Sequence, residues 1–441
     1  MSIPLIQHQH AQQPVAYPFG AVISAAQFIN DVQSLAEQLP ERRYVINLCA
    51  DRYRFAVGLC AALVREQISL LPPNYTPAFV ASLLEDHPEL YALTDSPLTE
   101  IGLERFDFPD LAPNIPKTFA VPKIPAKQIA AYVFTSGSTG RPTAHVKTWG
   151  GIARGAIAQA ERFNLVPHSA TTLIGTIPPQ HMYGLESSLI LALQIGISFF
   201  SGHPFYPADI RAALAQLYGS CVLVTTPFHL RALLSDEEMV PTLSCLVSAT
   251  APLPLDLAQL AEAKLGVPLY EVYGCTEAGQ VATRRTVIDP MWETYRGIRV
   301  FARGDEIFAH GGSVEVEAKL LDAIDVIDDK HFLLHGRTAD VINIAGKRTS
   351  LANLNFHLNA IRGVKDGVFF MPDEQDHHIT RLTALVVAPE LTGAQLITEL
   401  RKRIDAAFLP RPIHFVDALP RNSTGKLPRE VIAALVLTLR D

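Results

Sequence analysis

Residues 220–234 read SCVLVTTPFHLRALL: six strand-forming residues, a Thr-Pro break, then apolar positions at helical spacing. The pattern predicts a strand over 220–225 and a helix over 228–234. The alternation repeats downstream. A strand over 244–248 passes through a proline-broken turn into a helix over 255–265, and a further strand follows over 269–273. Upstream, 130–134 reads as a strand, and 25–38 and 54–65 read as amphipathic helices. Strands alternating with helices of about ten residues point to an α/β layered domain. The pattern changes after Gly336. Strands over 367–371 and 381–388, a helix over 393–408 and a last strand over 413–416 describe a small α+β domain of about a hundred residues. The boundary falls near residues 338–340. The expected fold class is therefore α/β, with a large N-terminal domain of mixed sheets and helices over 1–337 and a small α+β C-terminal domain over 338–441.

Composition narrows the function classes. The 441 residues are 48% hydrophobic and 18% charged, enough apolar matter for a sizeable core and unlike a disordered chain. With 37 Lys and Arg against 44 Asp and Glu, the net charge is -7, which argues against a general nucleic-acid binder. Five cysteines, none in a CxxC spacing, speak against a zinc ribbon or redox pair. Cys60, Cys221 and Cys245 sit among apolar neighbours and read as buried thiols, so a reducing cytoplasm is the expected compartment. Residues 1–14 lack the basic start and apolar core of a secretory signal. The longest apolar run, 189–200, is interrupted by Gln194 and Gly196 and is shorter than the ~20 residues of a membrane span.

Four segments carry chemistry. The first, 132–143, reads YVFTSGSTGRPT. A strand runs into Thr135, Ser136, Gly137, Ser138, Thr139 and Gly140. Successive backbone N–H groups in such a turn form an anion-holding nest, and the hydroxyls add donors. The spacing of the nucleotide-hydrolase P-loop is absent. A polar turn between strands is the plainer alternative. The second, 270–277, reads YEVYGCTE. Its strand ends in Gly274 and presents Thr276 and Glu277. A carboxylate there suits Mg²⁺ held together with phosphate oxygens, and Tyr273 can stack on a flat base. Alone it also reads as a strand end with a solvated Glu. The third runs from Asp322 to HGRTADVINIAGKRTS, ending at Ser350. A carboxylate here can accept ribose hydroxyls, and Arg337 can reach ribose or phosphate. A hairpin with surface charges is the alternative. The fourth, 420–430, reads PRNSTGKLPRE. Lys426 on such a turn can stabilise developing negative charge as a point charge, or belong to an ordinary basic loop.

In this order and at these spacings, the four segments resemble the adenylate-forming superfamily: acyl- and aryl-CoA ligases, peptide-synthetase adenylation domains and firefly luciferase. The resemblance covers about 130–429. It implies ATP and Mg²⁺ as cofactors. The turn 135–143 would grip the β- and γ-phosphates, Tyr273 would stack on adenine and Thr276 would contact the α-phosphate. Glu277 would hold Mg²⁺, Asp322 would bind the ribose hydroxyls, fifteen residues before Arg337, and Lys426 would serve catalysis. The segment 178–186, PPQHMYGLE, matches the motif that lines the acid pocket, with His181 as its side chain; Gly184, Ser248, Ala249, Thr250 and Gly274 would form pocket walls. Trp292 reads as core or rim, without a role.

Several positions depart from the family pattern. Thr143 stands where the family usually has Lys, with Lys147 as a possible substitute. Ala339 occupies the hinge position, followed by Asp340. Asn343 replaces a frequent Lys, while Gly346 keeps the family's turn. The resemblance implies a mobile small domain and a two-step reaction. An acid is converted to an acyl-adenylate with release of pyrophosphate, then passed to a thiol. The segments around 147–150 and 332–337 look like stand-alone ligases of aryl-polyene or pigment clusters. They would load a hydroxybenzoate or hydroxycinnamate type of acid onto the phosphopantetheine of an acyl carrier protein. An acyl-CoA ligase is the near alternative, and a non-catalytic nucleotide-binding homologue the distant one.

Overall fold

The structure is a computed structural model. It describes all residues except 73–74, 97–101, 112–118, 137–141, 237, 338–340, 345–346, 373–381, 423–424, 426 and 440–441, and it gives the backbone alone at 78, 135–136, 142, 337, 341, 343, 347–350 and 352–353. Two large sheets dominate the first 337 residues. One has six strands in the order Pro142–Thr148, Ile129–Ser136, Ile68–Leu71, Tyr44–Asn47, Leu90–Thr94, Glu104–Asp107. Its outer pair, 129–136 with 142–148, is an antiparallel hairpin; the other pairings are parallel.

The second sheet has eleven strands among the described residues. Its centre is a parallel run of Leu269–Cys275, Cys245–Ser248, Ser220–Thr225, Thr171–Gly175, Ser198–Phe200 and Pro14–Tyr17. Helices connect these strands, so both faces are covered, and the strands read as continuous apolar runs rather than alternating ones. Val222, Leu223, Leu246 and Val247 are accordingly fully buried. Beyond 269–275 the sheet turns antiparallel through Gly279–Arg284, Trp292–Thr294, His331–Arg337 and Asp322–Val326. Trp292 and Phe332 stack their rings there at 6.3 Å, inside a core that also holds Tyr273. A three-stranded antiparallel sheet, Ile298–Arg303, Glu306–Gly311 and Val314–Leu320, packs beside this edge.

Residues 341–439 build their own core. Strands Asp366–Phe370, Thr383–Val387 and Ile413–Phe415 pack between helices Leu351–Asn359, Gly393–Arg401 and Arg429–Thr438. One sequence expectation is corrected in this part. The helix expected over 393–408 stops at Arg401, and a separate 3₁₀ turn covers Ala406–Phe408. Asp405 explains the break: its side chain accepts the Ala407 N–H and caps a new turn, which a residue inside a continuous helix does not do. The expected boundary residues 338–340 lie outside the described residues.

Candidate active site

Every strand of the parallel run ends at one edge of the second sheet, where open α/β sheets place their ligands. Thr171–Gly175 leads to the 178–186 segment, Ser220–Thr225 to Thr226, Cys245–Ser248 to Thr250, and Leu269–Cys275 to Thr276 and Glu277. The sequence-expected residues therefore gather because they follow parallel strands.

At one end of this rim, the Tyr273 hydroxyl donates to the Asp322 carboxylate at 2.6 Å, joining the second and third motifs across 49 residues of chain. Asp322 is the direct partner of Arg337 in the antiparallel pairing, so the third motif is a hairpin whose two named residues face each other. Tyr273 is 7% exposed and packs edge-on against Trp292 at 5.7 Å and Phe332 at 5.6 Å. Gly274 follows. A Cβ there would come within 2.4 Å of the Gly279 carbonyl, so the return of the chain after Glu277 admits only glycine.

The first and second motifs meet through Lys147. Its ammonium donates to the main-chain carbonyl of Glu277 at 2.8 Å. Lys147 lies four residues along its strand from Thr143, about 13 Å at ~3.3 Å per residue. It therefore braces the Glu277 turn instead of occupying the place of a lysine at 143. Burial lowers its pKa, with Glu186, Cys275 and Glu277 opposing. Glu186 is buried at 8% exposure, and burial pushes its carboxyl up to about 7 against the pull of Lys147. The Cys275 thiol is pushed up to about 12, again first by burial. His145, two residues before Lys147 on the same strand face, is lowered by burial with Glu277 opposing. Thr135 and Thr143 are cross-strand partners, as are Ser136 and Pro142. Gly137, Ser138, Thr139 and Gly140 lie outside the described residues.

The acid-pocket candidates cluster farther along the rim. His181 caps a short helix, Met182–Gly184, with Nδ1 accepting the Tyr183 N–H at 3.3 Å. The Tyr183 hydroxyl lies 2.9 Å from the Val247 carbonyl and 3.2 Å from that of Thr225, at the ends of two neighbouring strands. Gly184 and Ala249 are buried beside it. Ser248 is fully buried, and its Oγ has no hydrogen-bond partner among the described residues. Thr250 has φ +77°, a strained position for a β-branched residue and one of a kind concentrated at ligand sites.

From the small lobe, Lys426 itself lies outside the described residues, as do Ala339, Asp340 and Gly346. Its neighbour Gly425 is described and buried. Arg421 donates to Asp366 through two nitrogens, both at 2.7 Å, and to the Gly425 carbonyl at 2.9 Å. The sequence reading passed over Arg421 and gave Lys147 a different place, as a substitute for a lysine at 143. The signal for Arg421 was its place inside the fourth motif; the carbonyl partner of Lys147 leaves no mark in a pattern of side chains.

The described residues contain no group of three or more His, Cys, Asp or Glu able to hold a metal. Glu277 beside Thr276 instead fits a hard divalent cation shared between one carboxylate and substrate phosphate oxygens, the usual habit of Mg²⁺. No described helix is long and apolar enough to cross a membrane.

The family model described as AMP-binding enzyme matches residues 38–304. A 4-coumarate–CoA ligase of Rhodobacter capsulatus is 27% identical over 296 residues, covering 66% of this chain and 73% of the relative. A 2-succinylbenzoate–CoA ligase of Bacillus pumilus is 26% identical over 336 residues, with 68% of each covered. Among solved structures, ATP-bound MatB from Rhodopseudomonas palustris superposes with a TM-score of 0.81 at 20% identity, over 99% of this chain and 98% of the other. MenE, the O-succinylbenzoate coenzyme A synthetase of Bacillus subtilis, in complex with ATP and magnesium ion, gives 0.79 at 18% identity, over 95% and 96%. These two structures share the fold.

Proposed function

Because the chain belongs to the AMP-binding enzyme family, we propose that it is an ATP-dependent, AMP-forming acid–thiol ligase built from a large unit over 1–337 and a small one over 338–441. The observation that carries the reading is the convergence of separate motifs on one rim: Tyr273 bonded to Asp322, and Lys147 to the turn of Glu277.

In the first half-reaction the acid carboxylate attacks the α-phosphorus of ATP, an acyl–phosphate bond forms, and pyrophosphate leaves. Asp322 receives the ribose hydroxyls and Tyr273 the adenine. The turn at 135–140 holds the outer phosphates through backbone N–H groups. Thr276 donates to an α-phosphate oxygen. Glu277 would hold Mg²⁺, which would supply neutralisation of the phosphate charge. Lys426 brings its ammonium to the oxygens where negative charge grows, and positioning with electrostatics supplies most of the acceleration. His181, Gly184 and Ser248 to Thr250 wall the acid. In the second half-reaction a thiol sulfur attacks the acyl carbon and AMP leaves, after the small unit has carried Lys426 away.

The acid is proposed to be aromatic, of the hydroxybenzoate or hydroxycinnamate type, which the names of the two relatives support. The acceptor is proposed to be the phosphopantetheine thiol of an acyl carrier protein. Coenzyme A is the second reading, favoured by those same names. Acid-dependent exchange of labelled pyrophosphate into ATP tests the first half-reaction. Aromatic acids are expected to support exchange, and ATP binding without exchange for any acid would leave a non-catalytic nucleotide binder. Offering coenzyme A and a holo carrier protein to the acid that exchanges best decides the acceptor.

A further inference from the structure

We propose that the Pro227–Ser235 helix is the dock that holds the small lobe in place for the first half-reaction, with Phe228 and Arg231 as its positioning residues; this rests on the ligase reading above. The helix starts at the rim. Thr226 caps it by accepting the His229 N–H, and its Oγ1 lies 2.8 Å from His229 Nδ1. His229 is buried, with its ring edge-on to Phe205 at 4.8 Å, so the first turn is fixed from beneath. Phe228, between these anchored residues, is 39% exposed.

The small lobe meets this helix at two points. Gly425, at φ +74°, lays its main chain on Phe228: a Cβ built there would stand 3.0 Å from Phe228 Cβ and 3.5 Å from Thr226 Oγ1. Three residues along, Arg231 donates to the main-chain carbonyl of Asn359 at 3.5 Å. Asn359 ends its helix, where unpaired carbonyls carry partial negative charge that favours a cation. Residues i and i+3 share one side of a helix, so two separate segments of the small lobe rest on the same face. Gly425 directly precedes Lys426, and seating it on Phe228 therefore anchors the chain immediately ahead of Lys426. Neither Phe228 nor Arg231 has a role in the chemistry assigned above.

The test separates the half-reactions in the full chain. Phe228→Ala and Arg231→Ala are each expected to lower the kcat of pyrophosphate exchange about tenfold, on the scale of one lost contact. Thioester formation from synthetic acyl-adenylate should stay unchanged, as should thermal unfolding, and Arg231→Lys should recover most of the loss. Equal losses in both half-reactions, or no loss in either, overturn the dock. A second variant, Arg231→Cys with Asn359→Cys, joined by a short bis-maleimide, should keep exchange and lose thioester formation. Crosslinking needs no substrate, so its yield reports on the dock even if the wild type exchanges with no acid and the ligase reading itself fails. Absence of the crosslink counts against the dock alone.

Discussion

The sequence holds Ser-Thr-Gly at 138–140 and again at 423–425, and the described residues that flank the two stretches are held in different ways. Flanking the first is a strand pair whose register runs from Ser136 with Pro142 to Lys147 with Ala131, and Lys147 ties that pair to the Glu277 turn. Beside the second, Arg421 is gripped by Asp366 at two points and by the Gly425 carbonyl at a third. The strand pair is fixed to the turn of Glu277 within the large unit, whereas Arg421 is braced within the small lobe, which meets the large unit where Gly425 lies on Phe228. On the ligase reading proposed above, the fixed side serves both half-reactions and the small lobe serves the first.

The sharpest way to break this contrast is Lys426→Ala. Pyrophosphate exchange should fall by about 10²- to 10³-fold, as when one charge-stabilising group is removed, while thioester formation from pre-made acyl-adenylate changes little. Equal losses would erase the distinction. Next comes Lys147→Met on the fixed side. It leaves the Glu277 carbonyl without its donor, at a cost of about 1–3 kcal/mol. Both half-reactions should slow together by about tenfold or more, and the melting temperature should drop. Arg421→Ala is expected to be milder, about tenfold in exchange alone, the scale of a lost charge-assisted hydrogen bond. Asp366→Ala should match it, and the double variant should add little, because the two side chains act as one brace.

The smallest effect concerns Glu186, whose charge is coupled to that of Lys147. Its carboxyl is raised to about 7 in the fold from an ordinary 4.5. The folded state therefore binds more protons than the unfolded one across that window, and stability falls as pH rises through it. Glu186→Gln should remove up to about 3 kcal/mol of this slope, read as a flatter melting profile between pH 4.5 and 7. An unchanged profile would show that Lys147 already holds Glu186 ionised.

Local pattern made much of the fold legible. The strand expected over 220–225 and the helices over 25–38 and 255–265 form with those bounds, since apolar spacing and Pro or Gly punctuation agree there. The 393–408 region misled because a single cap at Asp405 overrides a periodic run. In the site, the motif residues were visible as types, and their convergence was not. The bond from Tyr273 to Asp322 depends on an antiparallel edge added to a parallel sheet. Lys147 finds its partner 130 residues away on a main-chain oxygen, and Arg421 finds Asp366 across 55 residues. Each of these is a product of topology, which residue spacing does not encode.

The parallel strands all finish at the same border, and the segments carrying His181 and Thr250 are short connectors beyond it. Such connectors can be exchanged while the buried hydrogen-bonded ladder beneath stays as it is. On the ligase reading proposed above, an engineer seeking a new acid preference would graft replacement spans between 177 and 184 or 249 and 253, leaving the scaffold and the proposed nucleotide residues alone.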